Sequence, residues 1–135
     1  MKPRILLAED NDNNRYLAQF LLEREDFAVA LAINGKQALE VARLAKPDLV
    51  VMDIQMPEMD GYETAERFKG DPALADIPLL GVSSFAMAGD RAKAMKVGFA
   101  GYIEKPINPD TFAQEVKQFL KSHQVSGGSR SPASP

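Results

Sequence analysis

Short apolar runs alternate with stretches of helical periodicity along almost the whole chain. Residues 4–9 (RILLAE) form a compact apolar run and are read as a strand. Leu17, Phe20 and Leu21 then recur at helical spacing, which predicts a helix over 13–25 with those side chains facing the core. Residues 27–32 (FAVALA) give a second strand. The Asn-Gly pair at 34–35 opens a second helix carrying Ala38, Leu39, Val41 and Ala42, with Asn34 as its cap. Residues 48–53 (DLVVMD) are the most continuous apolar run before an acid, the pattern of a central parallel strand covered on both faces. A helix follows over 61–69, a strand over 78–83 (PLLGVS), a short helix over 88–97 and a strand over 100–104 (AGYIE). A last helix, about 109–121, is predicted to bury Phe112, Val116, Phe119 and Leu120. Five strands alternating with five helices imply an α/β domain with a parallel sheet and right-handed crossovers. The alternation does not fix the strand order.

Composition narrows this picture. A chain of 135 residues suits one core, and 45% apolar residues suit a folded domain rather than a disordered one. The domain is placed at 1–122. The Gly/Ser/Pro-rich remainder, 123–135, is expected to be a flexible tail, either a linker or an appended remnant. No apolar run has bilayer length, so no membrane segment is expected. With no cysteine, disulfides and thiolate metal sites are excluded, and a cytoplasmic setting is expected. A net charge of -3 offers no basic footprint for nucleic acid.

The chemistry gathers where strands end. The first strand runs into Glu9 and Asp10, the third ends in Asp53, the fourth in Ser83 and Ser84, and the fifth runs into Lys105-Pro106. Open α/β sheets bind ligands outside those carboxyl ends, at the point where the strand order reverses. If the first and third strands are neighbours there, three carboxylates and one ammonium converge. Carboxylates so close repel, and either a proton or a cation must relieve them. Oxygen ligands without His or Cys select a hard cation, with Mg²⁺ the natural one. A carboxylate beside Mg²⁺ can attack a phosphoryl group and form an aspartyl phosphate. Asp53, ending the central strand, is the best nucleophile. Glu9 and Asp10 are then metal ligands, Lys105 stabilises charge on the transferring oxygens, and the Ser83 hydroxyl can donate to another of them.

The segments LLAEDN, VVMDIQMPEMDG, IPLLGVSSFAM and YIEKPI together resemble the response-regulator receiver domain of two-component signalling, over about residues 3–121. The likeness is to the CheY-like superfamily, in particular its stand-alone DivK-type regulators. It implies a flavodoxin-like doubly wound sheet of order 2-1-3-4-5. It also implies that Asp53 is the phosphoacceptor and that Glu9 and Asp10 bind Mg²⁺ with Asp53 and the Gln55 backbone carbonyl. Ser83 would be the switch hydroxyl and Tyr102 the aromatic that moves inward on activation. Lys105 would stand before a cis proline, and Asp60-Gly61 would close the loop after Asp53. Ser84 stands where the family usually has Ala or another small residue. The implied partners are a histidine kinase or histidine phosphotransfer protein and a downstream protein on the face of the fourth helix, fifth strand and fifth helix. Assembly would be monomeric or weakly dimeric on phosphorylation.

Finer readings attach to this frame. Asn13, Asn14, Leu17, Pro106 and Ile107 flank the pocket and are candidates for kinase docking. Gln55 and Phe85 lie two residues past Asp53 and Ser83, beside the expected path of water. Gln55 would orient that water, whereas Phe85 would shield the acyl phosphate. Asp12 is expected to cap the first helix, Met52, Met56 and Met59 to fill packing space, and His123 to face solvent. Three other readings remain. The chain is a receiver cut from a hybrid kinase or multidomain regulator, or a Mg²⁺-dependent phosphohydrolase, or a flavin-binding domain. Gln55 opposes the second, since phosphohydrolases of the haloacid dehalogenase type carry an Asp two residues past the nucleophile. The acids after the first strand oppose the third, because they repel a phosphate.

Overall fold

A computed structural model describes residues 2–84 and 88–128 of the chain. Five strands, β1 (Arg4–Ala8), β2 (Ala28–Ala32), β3 (Leu49–Asp53), β4 (Leu79–Ser83) and β5 (Gly101–Glu104), alternate with five helices. The helices are α1 (Asp12–Arg24), α2 (Gly35–Ala45), α3 (Gly61–Gly70), α4 (Ala88–Val97) and α5 (Phe112–Gly128). All strands are parallel, in the order β2-β1-β3-β4-β5. The order reverses between β1 and β3, which pair from Ile5↔Leu49 to Ala8↔Met52. β3 is buried at every position, as its unbroken apolar run predicts.

Strand alternation sorts the core into two layers. Leu6, Ala8, Val50, Met52 and Leu79 point to one side, where Ala38 and Leu39 of α2, Ala65 and Phe68 of α3 and Ala94 of α4 cover them. Ile5, Leu7, Leu49, Val51, Leu80 and Val82 point to the other, under Leu21 and Leu22 of α1 and Phe112, Val116 and Leu120 of α5. Asn34 caps α2 as expected, its side-chain oxygen accepting from the Gln37 amide at 2.8 Å. Asp60 caps α3 through the Glu63 amide at 2.9 Å. Met52 and Met56 are buried and Met59 packs against the same layer. Among the described residues, no helix is long and apolar enough to cross a membrane.

Four local expectations are corrected. The cap of α1 is Asn11, which accepts from the Asn14 amide at 2.9 Å, while Asp12 is the first helical residue and pairs with Arg15. Phe20 is 51% exposed and lies under the Arg24 guanidinium, 5.6 Å from its ring centre. Ala18 and Leu22 take the buried positions beside Leu21, so the core stripe of α1 is turned by one residue. α5 continues beyond 121 to Gly128, with neither Pro nor Gly between Lys121 and Ser126 to stop it. His123 is therefore on a helix, stacked on Phe119 at 4.0 Å and half-buried rather than free in solvent. Residues 129–135 of the Gly/Ser/Pro-rich tail lie outside the described residues.

Packing makes one contrast measurable. Phe68 is fully buried between α3 and the sheet, whereas Leu44 of α2 is 86% exposed. Urea unfolding of Phe68→Ala should show a loss of about 3–5 kcal/mol. Leu44→Ala should stay within about 0.5 kcal/mol of the parent. Similar losses at both positions would contradict this layer assignment.

Candidate functional site

The alternation that builds the α1/α5 core also aims the polar residues at the strand ends. Continuing from Leu7, Val51 and Ile103, the next side chains on that side are Glu9, Asp53 and Lys105. Sheet-type hydrogen bonds carry the backbone up to each of them. The Glu9 amide donates to the Ala32 carbonyl at 3.0 Å, and the Lys105 amide to the Ser83 carbonyl at 2.8 Å. The Ile54 amide donates to the Val82 carbonyl at 2.9 Å, and Asp53 registers with Val82. The loop after Asp53 closes where the Gly61 amide meets the Ile54 carbonyl at 2.8 Å. A Cβ at Gly61 would stand 2.6 Å from the Ile54 Cα, so this closure needs glycine.

Lys105 Nζ lies 2.9 Å from Glu9 Oε1 and 3.1 Å from Asp53 Oδ2. The second oxygen of each carboxylate takes a backbone amide two residues on. Asn11 donates to Glu9 Oε2 and Gln55 to Asp53 Oδ1, both at 3.1 Å. Glu9 and Asp53 are buried, whereas Asp10 is exposed at the mouth. Carboxylate oxygens of Glu9, Asp10 and Asp53 lie within 4.8 Å of one another. Burial first, and then the negative charge of Glu9, push the Asp53 carboxyl from 3.8 up to about 6, with Lys105 pulling the other way. For Lys105 burial opposes the charge, but its bonds to Glu9 and Asp53 outweigh burial and hold the ammonium above its usual pKa of 10.5. Oxygen donors this close, one of them exposed, fit a hard divalent cation and could hold Mg²⁺.

The remaining predicted residues fall around this centre. Ser83 is buried at the end of β4, where the Gln55 side-chain amide donates to its Oγ at 2.7 Å. The Ser84 amide donates to Gln55 Oε1 at 3.3 Å. Tyr102 is half-buried on β5 against the α2–α4 core layer, with the Arg91 guanidinium 5.6 Å from its ring centre. The Lys105-Pro106 peptide is cis. Asn14, Leu17, Pro106 and Ile107 line a cavity of about 390 Å³ that also reaches Asp53 and Lys105. Asn13 is exposed and is not part of that lining. Phe85 lies outside the described residues.

Arg15 was not singled out from the sequence. Its guanidinium donates to the Glu9 carbonyl at 2.9 Å and pairs with Asp12, bracing the loop that presents Glu9 and Asp10. The i,i+3 spacing of Asp12 and Arg15 signals the ion pair, but nothing local signals the reach back to Glu9.

Residues 5–117 match the family of the response regulator receiver domain. The polar-differentiation response regulator DivK of Brucella anthropi is 38% identical over 120 residues, covering 89% of this chain and 98% of that protein. The signal receiver domain of a signal transduction histidine kinase from Syntrophus aciditrophicus is 30% identical, with a TM-score of 0.79 over 89% of this chain and 91% of that one. The chemotaxis protein CheY4 of Vibrio cholerae shares the fold at a TM-score of 0.83, covering 87% of this chain and 98% of that one at 24% identity.

The raised Asp53 carboxyl has a signed effect on stability. A folded-state pKa above the unfolded one favours the neutral group, so its contribution is present below 3.8 and lost as pH rises through about 6. Asp53→Asn without divalent cations should therefore unfold at higher denaturant than the parent at neutral pH, by on the order of 2 kcal/mol. That gain should shrink as pH falls from about 6 to 3.8 and be absent below 3.8. A gain independent of pH, or a loss at neutral pH, would contradict the buried, like-charged setting.

Proposed function

Because the chain belongs to the response regulator receiver domain family, we propose that it is a phosphorylation-driven switch whose acceptor is Asp53. A histidine kinase or histidine phosphotransfer protein presents phosphohistidine. An Asp53 carboxylate oxygen attacks phosphorus, the phosphorus–nitrogen bond breaks with its electron pair returning to the imidazole, and an acyl phosphate remains on Asp53. Glu9, Asp10, Asp53 and the Gln55 backbone carbonyl would hold Mg²⁺, which when bound neutralises charge on the phosphoryl oxygens. Lys105 supplies a fixed positive charge beside the acceptor. The observation that carries this reading is the Lys105 ammonium between Glu9 and Asp53 at 2.9 and 3.1 Å.

The phosphoryl group adds nearly two negative charges and new acceptor oxygens. Ser83 turns to donate to one of them, and Tyr102 follows inward. The face of α4, β5 and α5 changes, and a downstream protein that prefers the changed face shifts the population further. The phosphodonor helix docks on the cavity rim, where Asn14, Leu17, Pro106 and Ile107 lie beside Asp53, with Asn13 next to them in sequence. Water attack on phosphorus releases inorganic phosphate, and Gln55 and Phe85 tune its rate. The receiver spans 1–122, with Leu120 the last core side chain among the described side chains of α5. It works in the cytoplasm, as a monomer or a weak dimer formed on phosphorylation.

Labelling with a small phosphodonor tests the acceptor directly. The parent should take up an acid-stable, alkali-labile label only with Mg²⁺ present, and Asp53→Asn should take up none. Undiminished label in the variant would reject Asp53 as the acceptor.

A further inference from the structure

Gln55 is joined to both halves of the proposed switch. Its backbone amide donates to Asp53 Oδ1 at 3.1 Å. Its carboxamide reaches across to the end of β4, where Nε2 donates to Ser83 Oγ at 2.7 Å and Oε1 accepts from the Ser84 amide at 3.3 Å. A single half-buried side chain thus holds two consecutive residues that lie 28 and 29 positions away in sequence. Strand alternation places Ser83 on the α3/α4 side, in step with Leu79 and with Gly81, whose Cβ position faces Ile54 and Phe99. Asp53 points to the α1/α5 side with Val51.

From this arrangement we propose that the Gln55 side chain is a latch, a positioning residue that holds the Ser83 hydroxyl on the α3/α4 side until a phosphoryl group on Asp53 competes for it. The inference rests on Asp53 being the acceptor. A hydroxyl has one proton and two lone pairs. The Gln55 bond occupies a lone pair and fixes where the oxygen sits, leaving the hydroxyl proton to other partners. For Oγ to swing towards Asp53 it must leave Nε2, and the carboxamide then loses a short bond in partly buried surroundings. The second bond, to the Ser84 amide, ties the start of the β4–α4 loop to the same event. While latched, the carboxamide is engaged at both ends by Ser83 and Ser84, so a water-orienting role for Gln55 begins only after release.

Gln55→Met keeps the length of the side chain and removes both latch bonds. Beryllofluoride with Mg²⁺ serves as a phosphoryl mimic, followed by amide NMR. Binding to the variant should tighten about 2- to 10-fold, the equivalent of one or two net hydrogen bonds no longer broken. The Ser83 and Ser84 amide signals of the unliganded variant should also move towards their positions in the liganded parent. Combined with Ser83→Ala, Gln55→Met should lose most of its effect. Affinity for Mg²⁺ alone should change by a smaller factor than affinity for beryllofluoride, because the substitution keeps the Gln55 backbone carbonyl that would hold the ion and removes only the side-chain bonds to Ser83 and Ser84. Unchanged or weaker beryllofluoride binding would overturn the latch, as would an Mg²⁺ affinity that changes by the same factor. Should Gln55→Met not fold, Gln55→Ala is held to the same outcomes. Failure of the parent to bind, or equal binding by Asp53→Asn, would overturn the acceptor reading and the latch with it.

Discussion

Lys105 stands between two buried carboxylates, and the rest of the site is arranged around that contact. Glu9 and Asp53 point into one crevice, and without a counter-charge their repulsion and desolvation would both oppose folding. The ammonium touches an oxygen of each at 2.9 and 3.1 Å, and a backbone amide takes the other oxygen of each. Neutralisation is still incomplete. With Asp10 counted, three carboxylates face one ammonium, and Asp53 carries the strain as a carboxyl raised to about 6. Full ionisation leaves two uncompensated negative charges, the charge of one divalent cation.

The fold makes this possible through parity and topology. Alternation along β1, β3 and β5 sends Glu9, Asp53 and Lys105 to the side that also carries Leu7, Val51 and Ile103. The reversal of strand order sets β1 beside β3, so acids separated by more than forty residues in the chain meet. Ser83 has the opposite parity, on the α3/α4 side, and Gln55 spans the gap between it and the loop after Asp53. One residue therefore bonds to both the proposed acceptor and the proposed switch hydroxyl.

Much of this was legible beforehand because it depends on strand ends and period. Unbroken runs such as DLVVMD marked central strands, and each charged residue closing a run marked the crevice. The strand order came from family likeness, since alternation of strands and helices is compatible with several orders. What escaped was side-chain reach. Leu17, Phe20 and Leu21 satisfied a helical period, yet burial falls on Ala18, Leu21 and Leu22: Ala18 carries little apolar signal, and with it discounted the period fits the stripe one residue earlier. Asn11 outcompeted Asp12 as cap, a shift of one residue that spacing cannot resolve. Arg15 to Glu9 and Gln55 to Ser83 are tertiary hydrogen bonds that no local pattern encodes.

The decisive measurement is the Mg²⁺ dependence of unfolding, compared between the parent and Asp10→Asn. Asp10 is exposed, so its replacement leaves the core intact while removing one proposed ligand. The parent's unfolding midpoint should climb with Mg²⁺ concentration as mass action requires, and the variant's should climb far less. A parent indifferent to Mg²⁺, or a variant that follows it step for step, would contradict a shared cation pocket.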